Sequence, residues 1–95
     1  MRVGLAQLHL PPLDVVHNVE ATVAAIEAAA DGGADIVVLP ELANTGYVLD
    51  SALLHPLAED VSAPGHALRA WADTARRRRI GVVVGFAERT GSALY

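Results

Sequence analysis

Glu41 is the residue with the clearest chemical potential, and it lies in the stretch VVLPELANTGY at residues 37–47. Four apolar residues, 36–39, precede it and favour a strand, which Pro40 ends because proline cannot donate a hydrogen bond to a sheet. A carboxylate just beyond a strand can act as a general base, bind a metal ion or anchor a substrate. It can equally be a solvated loop acid, and position alone leaves these alternatives open.

The elements that would position this acid follow from the apolar pattern. Three apolar segments, near residues 3–9, 36–39 and 80–87, predict strands. Apolar residues at helical spacing predict helices near 18–31 and 65–78. The order β-α-β-α-β favours a parallel α/β sheet with right-handed crossovers. Because ligands gather at the carboxyl ends of parallel strands, this fold would place Glu41 where binding sites form.

The predicted strands are apolar on both faces, which is typical of a sheet covered on both sides. Two helices can cover one face, and we expect the other face to expose Val, Leu and Ile side chains in this chain. A second sheet, more chain or another subunit could cover that face. The helices could also divide between the two faces, and the pattern leaves this open.

Several residues have local roles that their types suggest. Asp14 and Asn18 are both candidate N-caps of the first helix. Asn44 and Thr45 are expected to shape the loop after the second strand through side-chain-to-backbone hydrogen bonds. Gly46 is expected to supply a turn conformation that other residues resist.

Composition excludes several classes of function. The 95 residues suffice for one domain, and the net charge of −4 gives no reason to expect nucleic-acid or membrane partners. The basic run Arg76–Arg79 ends a predicted helix and favours a solvated face. No histidine has metal-ligand spacing, so neither a metal nor a cofactor is predicted. No signal peptide or membrane span is evident, so the expected location is cytoplasmic.

Three segments carry a family resemblance: RVGLAQL, NVEATVAAIEAAADGGADIVVLPELANTGY, and GVVVGFAER with the final ALY. Together they resemble the N-terminal part of the nitrilase, or carbon–nitrogen hydrolase, superfamily. The most specific element is the strand that leads into Pro40-Glu41 and is followed by Gly46-Tyr47. The resemblance implies an α-β-β-α four-layer sandwich, of which this chain would be the N-terminal β-α-β-α-β portion. A second sheet would cover the face that the two helices leave open.

The resemblance also implies a mechanism. The family uses a Glu-Lys-Cys triad, in which cysteine attacks a nitrile or amide carbon to form a thioester, glutamate moves protons, and lysine helps hold the developing negative charge. The glutamate of the family motif matches Glu41. Tyr47 is a candidate substrate-binding residue, with packing against the sheet end as the alternative. The chain has no lysine and no cysteine. We therefore expect residues 1–95 to be the N-terminal part of a single hydrolase domain, truncated before the lysine and cysteine and inactive alone.

The sequence is consistent with three alternative functions. The leading one is a hydrolase of non-peptide carbon–nitrogen bonds in small molecules, with amides favoured over nitriles. The second is the glutaminase domain of a glutamine-dependent NAD synthetase, which resembles this N-terminus too. The third, from another class, is a non-catalytic βαβ binding module. For the full-length enzyme we expect a homodimer or a higher homo-oligomer.

Overall fold

The computed structural model describes residues 1–95, and a three-stranded parallel sheet forms its centre. The strands are β1 (Val3–Leu5), β2 (Ile36–Val38) and β3 (Gly81–Val83), in the spatial order β1-β2-β3. Both neighbouring pairs are parallel. The predicted α/β fold is therefore confirmed, with the strand that leads to Glu41 at the centre of the sheet.

The strands are shorter than the segments near 3–9 and 80–87 that the pattern predicted. The amide of Leu39 still donates to the carbonyl of Val83 at 2.9 Å, but regular pairing has ended there. Apolar character reports burial rather than ladder pairing, and three of the residues beyond the strands pack against the core: Leu10, Val84 and Phe86.

Helices occupy the connections between the strands. The first is α1 (Val15–Asp31), followed by the short α2 (Ser51–Leu54) with a 3₁₀ turn at His55–Leu57, and then by α3 (His66–Arg78). No helix combines the length and the apolar character needed to span a bilayer. A separate antiparallel pair, β4 (Arg89–Thr90) and β5 (Ala93–Leu94), closes the chain.

The start of α1 distinguishes the two candidate N-caps. Asp14 is the cap, because its side chain accepts a hydrogen bond from the amide of His17 at 3.2 Å. Asn18 lies inside the helix and is fully buried, so its assignment as a cap was wrong. Because the helix begins after Asp14, Asn18 lies one turn inside it and its side chain faces the core.

The hydrophobic core lies between the sheet and the α1–α3 pair. Trp71 of α3 is 3% exposed and donates its indole N–H to Oγ1 of Thr22 in α1 at 2.8 Å. At Gly4 a Cβ atom would lie 3.4 Å from the Cβ of Ala29, so α1 packs closely on β1. The core residues are Val19, Ile26, Val37, Leu39, Ala43, Ala67, Trp71 and Ile80.

The opposite face of the sheet is uncovered. Val3, Leu5 and Val83 point away from the helices and are 55%, 76% and 55% exposed. Both long helices therefore pack on one face, as predicted, and the other face presents apolar side chains.

The arginine run at the end of α3 forms more ion pairs than the predicted solvated face would. Arg77 and Arg78 form ion pairs with Glu27 of α1, at 3.0 and 2.7 Å, and Arg78 also contacts Asp31. Two of the four arginines therefore connect α3 to α1 rather than serve as a purely solvated face.

The pairing of Glu27 predicts an acid-dependent loss of stability. The hydrogen bond from Arg78, helped by Arg77, lowers the pKa of the Glu27 carboxyl below its usual 4.5. A carboxyl with a lowered folded pKa stabilises the fold above its unfolded pKa, and this stabilisation disappears as the pH falls through the folded value. We expect Glu27→Gln to flatten the decline of unfolding free energy below about pH 4.5, measured by urea denaturation.

The matched control is Glu20→Gln, which removes an exposed carboxylate of the same helix that forms none of the ion pairs. It should retain the acid dependence of the unaltered chain. Identical acid profiles for Glu27→Gln and the unaltered chain would contradict the assignment.

Candidate active site

Glu41 lies three residues beyond the end of β2, at the carboxyl edge of the sheet. It lines an open cavity of about 400 Å³, and Tyr47 lines the same cavity. Two segments form the cavity walls, residues 8–12 and residues 40–47. The other lining residues are Leu8, His9, Leu10, Pro12, Pro40 and Gly46. The structure thus brings both residues predicted for the site to one concave surface.

Both of these side chains are accessible in this chain. Glu41 is exposed, which by itself fits a solvated loop acid as well as a reactive carboxylate. Tyr47 is 68% exposed and lies at the cavity rather than packing closely against the end of the sheet. Its phenol can donate and accept hydrogen bonds at the cavity wall.

The Glu41 loop contacts the segment after β1 through Gly46. Gly46 has φ +72°, a conformation that favours glycine, as predicted. A Cβ atom there would lie 2.7 Å from the carbonyl oxygen of Pro11 and 2.8 Å from that of Leu10. These distances are too short for any side chain, so Gly46 lets the two cavity walls meet backbone to backbone.

The polar residues of the loop bond as predicted. The side-chain hydroxyl of Thr45 donates to the carbonyl of Gly46 at 3.0 Å. The backbone carbonyl of Thr45 accepts from the amide of Leu13 at 2.6 Å. The Oδ1 atom of Asn44 accepts from the amide of Ala87 at 3.2 Å. Both side chains are fully buried, so the loop is fixed from inside the protein.

The segment after β3 supports the loop from a third side. The amide of Ala43 donates to the carbonyl of Gly85 at 2.9 Å. A Cβ atom on Gly85 would lie 3.2 Å from the Cα of Glu41. The backbone that carries the carboxylate is therefore in direct contact with this segment.

Sequence reasoning missed two residues at the site. Asn18 donates from Nδ2 to the carbonyls of Pro11 and Asn44, at 2.9 and 3.1 Å. A signal was available, because Asn18 and Thr22 lie at i−8 and i−4 of Ile26 on one buried helix face. His9 is exposed and lines the cavity beside Glu41, and nothing in its spacing indicated that position.

A second acid, Glu59, is buried, and both of its carboxylate oxygens accept hydrogen bonds from the backbone. Its carboxylate accepts from the amides of Gly65 and Ala67, at 2.6 and 3.1 Å, and so caps the start of α3. Glu59 and Asp60 line a separate cavity of about 250 Å³ near the start of α3, whereas Glu41 lines the cavity at the carboxyl edge of the sheet. No group of three or more His, Asp or Glu side chains is close enough together to hold a metal ion.

A family model described as carbon–nitrogen hydrolase matches residues 2–95. This chain belongs to the carbon–nitrogen hydrolase family. The resemblance seen in the sequence is thereby confirmed for nearly the whole chain.

Curated members of this family include two kinds of relative. The chain is 34% identical over 104 residues to a glutamine-dependent NAD(+) synthetase of Xylella fastidiosa, covering 100% of this chain and 17% of the relative. It is 36% identical over 97 residues to a chloroplastic omega-amidase of Arabidopsis thaliana, covering 98% and 26%. The chain thus spans about a quarter or less of these relatives.

Solved structures give the same fold. An amidase from Nesterenkonia sp. superposes with a TM-score of 0.72 at 26% identity, over 96% of this chain and 34% of that one. A variant of that amidase holds butyramide, and another shows Michael addition of acrylamide at its active-site cysteine. The carbon–nitrogen hydrolase chain described here therefore has the α/β fold of nitrilase-superfamily amidases.

Proposed function

We propose that this chain is the glutamate-bearing part of a hydrolase that cleaves small amides through a thioester acyl-enzyme, with Glu41 as general base and acid. The observation that carries the proposal is the position of Glu41, at the carboxyl edge of the sheet and on the wall of a 400 Å³ cavity. Ligands of parallel α/β sheets bind at this edge. The amidase structures that share the fold support an amide rather than a nitrile substrate.

The proposed steps conserve protons. Glu41 takes the proton of a cysteine thiol as sulfur attacks the amide carbon. It then gives that proton to the departing ammonia or amine, and the thioester remains. Finally it takes a proton from water, whose oxygen attacks the thioester, and returns the proton to the thiol as the carboxylic acid leaves. A lysine would hold the negative charge that develops on the substrate oxygen.

In this proposal the thiol and the lysine are supplied by polypeptide outside residues 1–95, because these residues contain neither. We propose that the additional chain also covers the apolar sheet face at Val3, Leu5 and Val83 as a second sheet. Exclusion of water from the Glu41 cavity by this additional chain would affect the proposed proton transfer. Proton transfer from a free thiol to a free carboxylate in water is uphill by about 5–6 kcal/mol. Burial that raises the pKa of the carboxyl, together with a neighbouring lysine that lowers the pKa of the thiol, would reduce this gap.

Tyr47 is proposed to contact the substrate, because its phenol shares the cavity with Glu41. A hydrogen bond between the phenol and the polar end of the amide would orient the carbonyl carbon for attack. The assembly into a homodimer or a higher homo-oligomer stays a prediction.

The second candidate function is that of a glutaminase domain in a glutamine-dependent NAD synthetase. The 34% identity to the synthetase of Xylella fastidiosa over the whole of this chain supports it, beside the 36% identity to the omega-amidase. Both candidates use the same chemistry on a primary amide, so they differ in substrate rather than in the role of Glu41.

A complementation assay tests the proposal. Residues 1–95 would be purified and assayed alone and with a polypeptide carrying the part of the Nesterenkonia amidase that this chain does not match. Butyramide, butyronitrile and glutamine would serve as substrates. We expect ammonia release from butyramide only in the complemented mixture. Activity of the isolated chain would contradict the thiol mechanism, and a strong preference for glutamine would favour the glutaminase.

A further inference from the structure

We propose that Asn18 is a positioning residue that sets the width of the Glu41 cavity. The cavity has two walls, residues 8–12 and residues 40–47. The catalytic consequence of this inference rests on the proposed function of Glu41, whereas its structural part does not.

The argument begins with the two bonds of one nitrogen atom. Nδ2 of Asn18 donates to the carbonyl of Pro11 in one wall at 2.9 Å and to the carbonyl of Asn44 in the other at 3.1 Å. An amide nitrogen carries two protons in a fixed plane, so these bonds fix the separation of the two carbonyls. Asn18 is itself fixed within α1 and is fully buried.

Asn44 extends this arrangement to the segment after β3. Its carbonyl accepts from Asn18, and its Oδ1 accepts from the amide of Ala87 at 3.2 Å. The three segments that surround Glu41 are therefore joined through two buried amide side chains, which we call the amide clamp (Asn18 and Asn44).

The clamp is not optimal for stability. Oδ1 of Asn18 and Nδ2 of Asn44 are buried and have no hydrogen-bond partner in the chain. A buried polar atom without a partner destabilises a fold. Apolar residues would remove these two unpaired atoms but would leave the carbonyls of Pro11 and Asn44 and the amide of Ala87 without their side-chain partners. The two amides therefore serve to hold these three backbone groups in a fixed arrangement around the site.

Thr22 offers a matched control on the same helix face. It is fully buried, lies one turn after Asn18, and accepts the indole N–H of Trp71 at 2.8 Å. Its hydroxyl also donates to the backbone carbonyl of Asn18 at 2.7 Å, but it contacts neither cavity wall. Thr22→Val therefore removes a buried polar group of α1 and leaves the side-chain bonds of Asn18 to the two walls in place. Asn18→Ala removes both bonds that Asn18 makes to the cavity walls, and Asn18→Asp keeps the shape while replacing the donor with an acceptor.

Amide hydrogen exchange tests the clamp on the 95-residue chain. In the unaltered chain, the amides of Leu13 and Ala87 should exchange within about tenfold of those at the centre of α1. In Asn18→Ala and Asn18→Asp, exchange at Leu13 should accelerate by at least about tenfold relative to the centre of α1. Thr22→Val should accelerate all of these amides together.

Three results would overturn the inference. One is fast exchange of Leu13 and Ala87 in the unaltered chain, which can be measured even if the variants fail to fold. Another is unchanged relative exchange in Asn18→Asp. The third is the same local acceleration in Thr22→Val.

Kinetics of the complemented hydrolase provide the functional readout. A loosened wall should lower kcat for butyramide about 10- to 100-fold in Asn18→Ala, with a smaller change in Thr22→Val. Equal losses in the two variants would overturn the positioning role. If the exchange results hold but Glu41→Gln retains full turnover, the proposed function fails and the structural clamp stands.

Discussion

Replacing Glu41 with glutamine is expected to lower amide turnover of the complemented hydrolase by about 10²–10⁴-fold, the usual cost of losing a general base. The amide keeps the shape of the side chain but cannot take a proton from a thiol or from water. The carboxylate of Glu41 is exposed and takes part in none of the ion pairs, so the substitution should leave folding nearly unchanged. Steady-state ammonia release from butyramide, compared at equal folded protein, measures the effect.

Two controls separate this chemistry from a general loss of charge. Glu20→Gln makes the same chemical change on the exposed side of α1, away from the cavity, and should keep full turnover. Glu59→Gln alters the buried cap of α3 and should act mainly on stability, because its carboxylate bonds to the amides of Gly65 and Ala67. Near-normal kcat in Glu41→Gln would show that the role assigned to Glu41 is wrong.

The sequence was sufficient to predict the location of Glu41, because three local signals agree there. An apolar strand, a proline that ends it and a β-α-β order together place the acid at the carboxyl edge of a parallel sheet. Gly46 and Tyr47 follow within a few residues, so the same loop had to carry them. Proximity along the chain explains why this part of the site was accessible to sequence reasoning.

Asn18 was not accessible in the same way, because its role depends on contacts with residues far along the chain. An asparagine near a helix start has the local signature of an N-cap, and only the folded structure shows that Asp14 takes that role. The partner carbonyl of Asn44 lies 26 residues away. The strand ends were missed for a related physical reason, since residues such as Phe86 are apolar to fill the core and not to extend a sheet.

Substituting Gly46 with alanine is expected to reduce the free energy of unfolding by about 2–5 kcal/mol and to disable the site. Two costs add. A left-handed backbone conformation costs an L-residue about 1–2 kcal/mol, and forcing a methyl group into occupied space costs about 1–3 kcal/mol more. The space is occupied by backbone, since the new Cβ would lie 2.7 Å from the carbonyl oxygen of Pro11 and 2.9 Å from the Cα of Pro12. Urea denaturation measures the loss of stability.

Gly91 provides the control that isolates the second cost. It also has a positive φ, of 60°, but a Cβ atom there would meet nothing within 4 Å. Gly91→Ala should therefore show only the conformational cost, about 1–2 kcal/mol, and should keep full turnover after complementation. Equal losses of stability in the two variants would mean that the cavity walls can separate freely. A larger loss at Gly46, together with lost turnover, would mean that Glu41 depends on the two walls meeting backbone to backbone at this glycine.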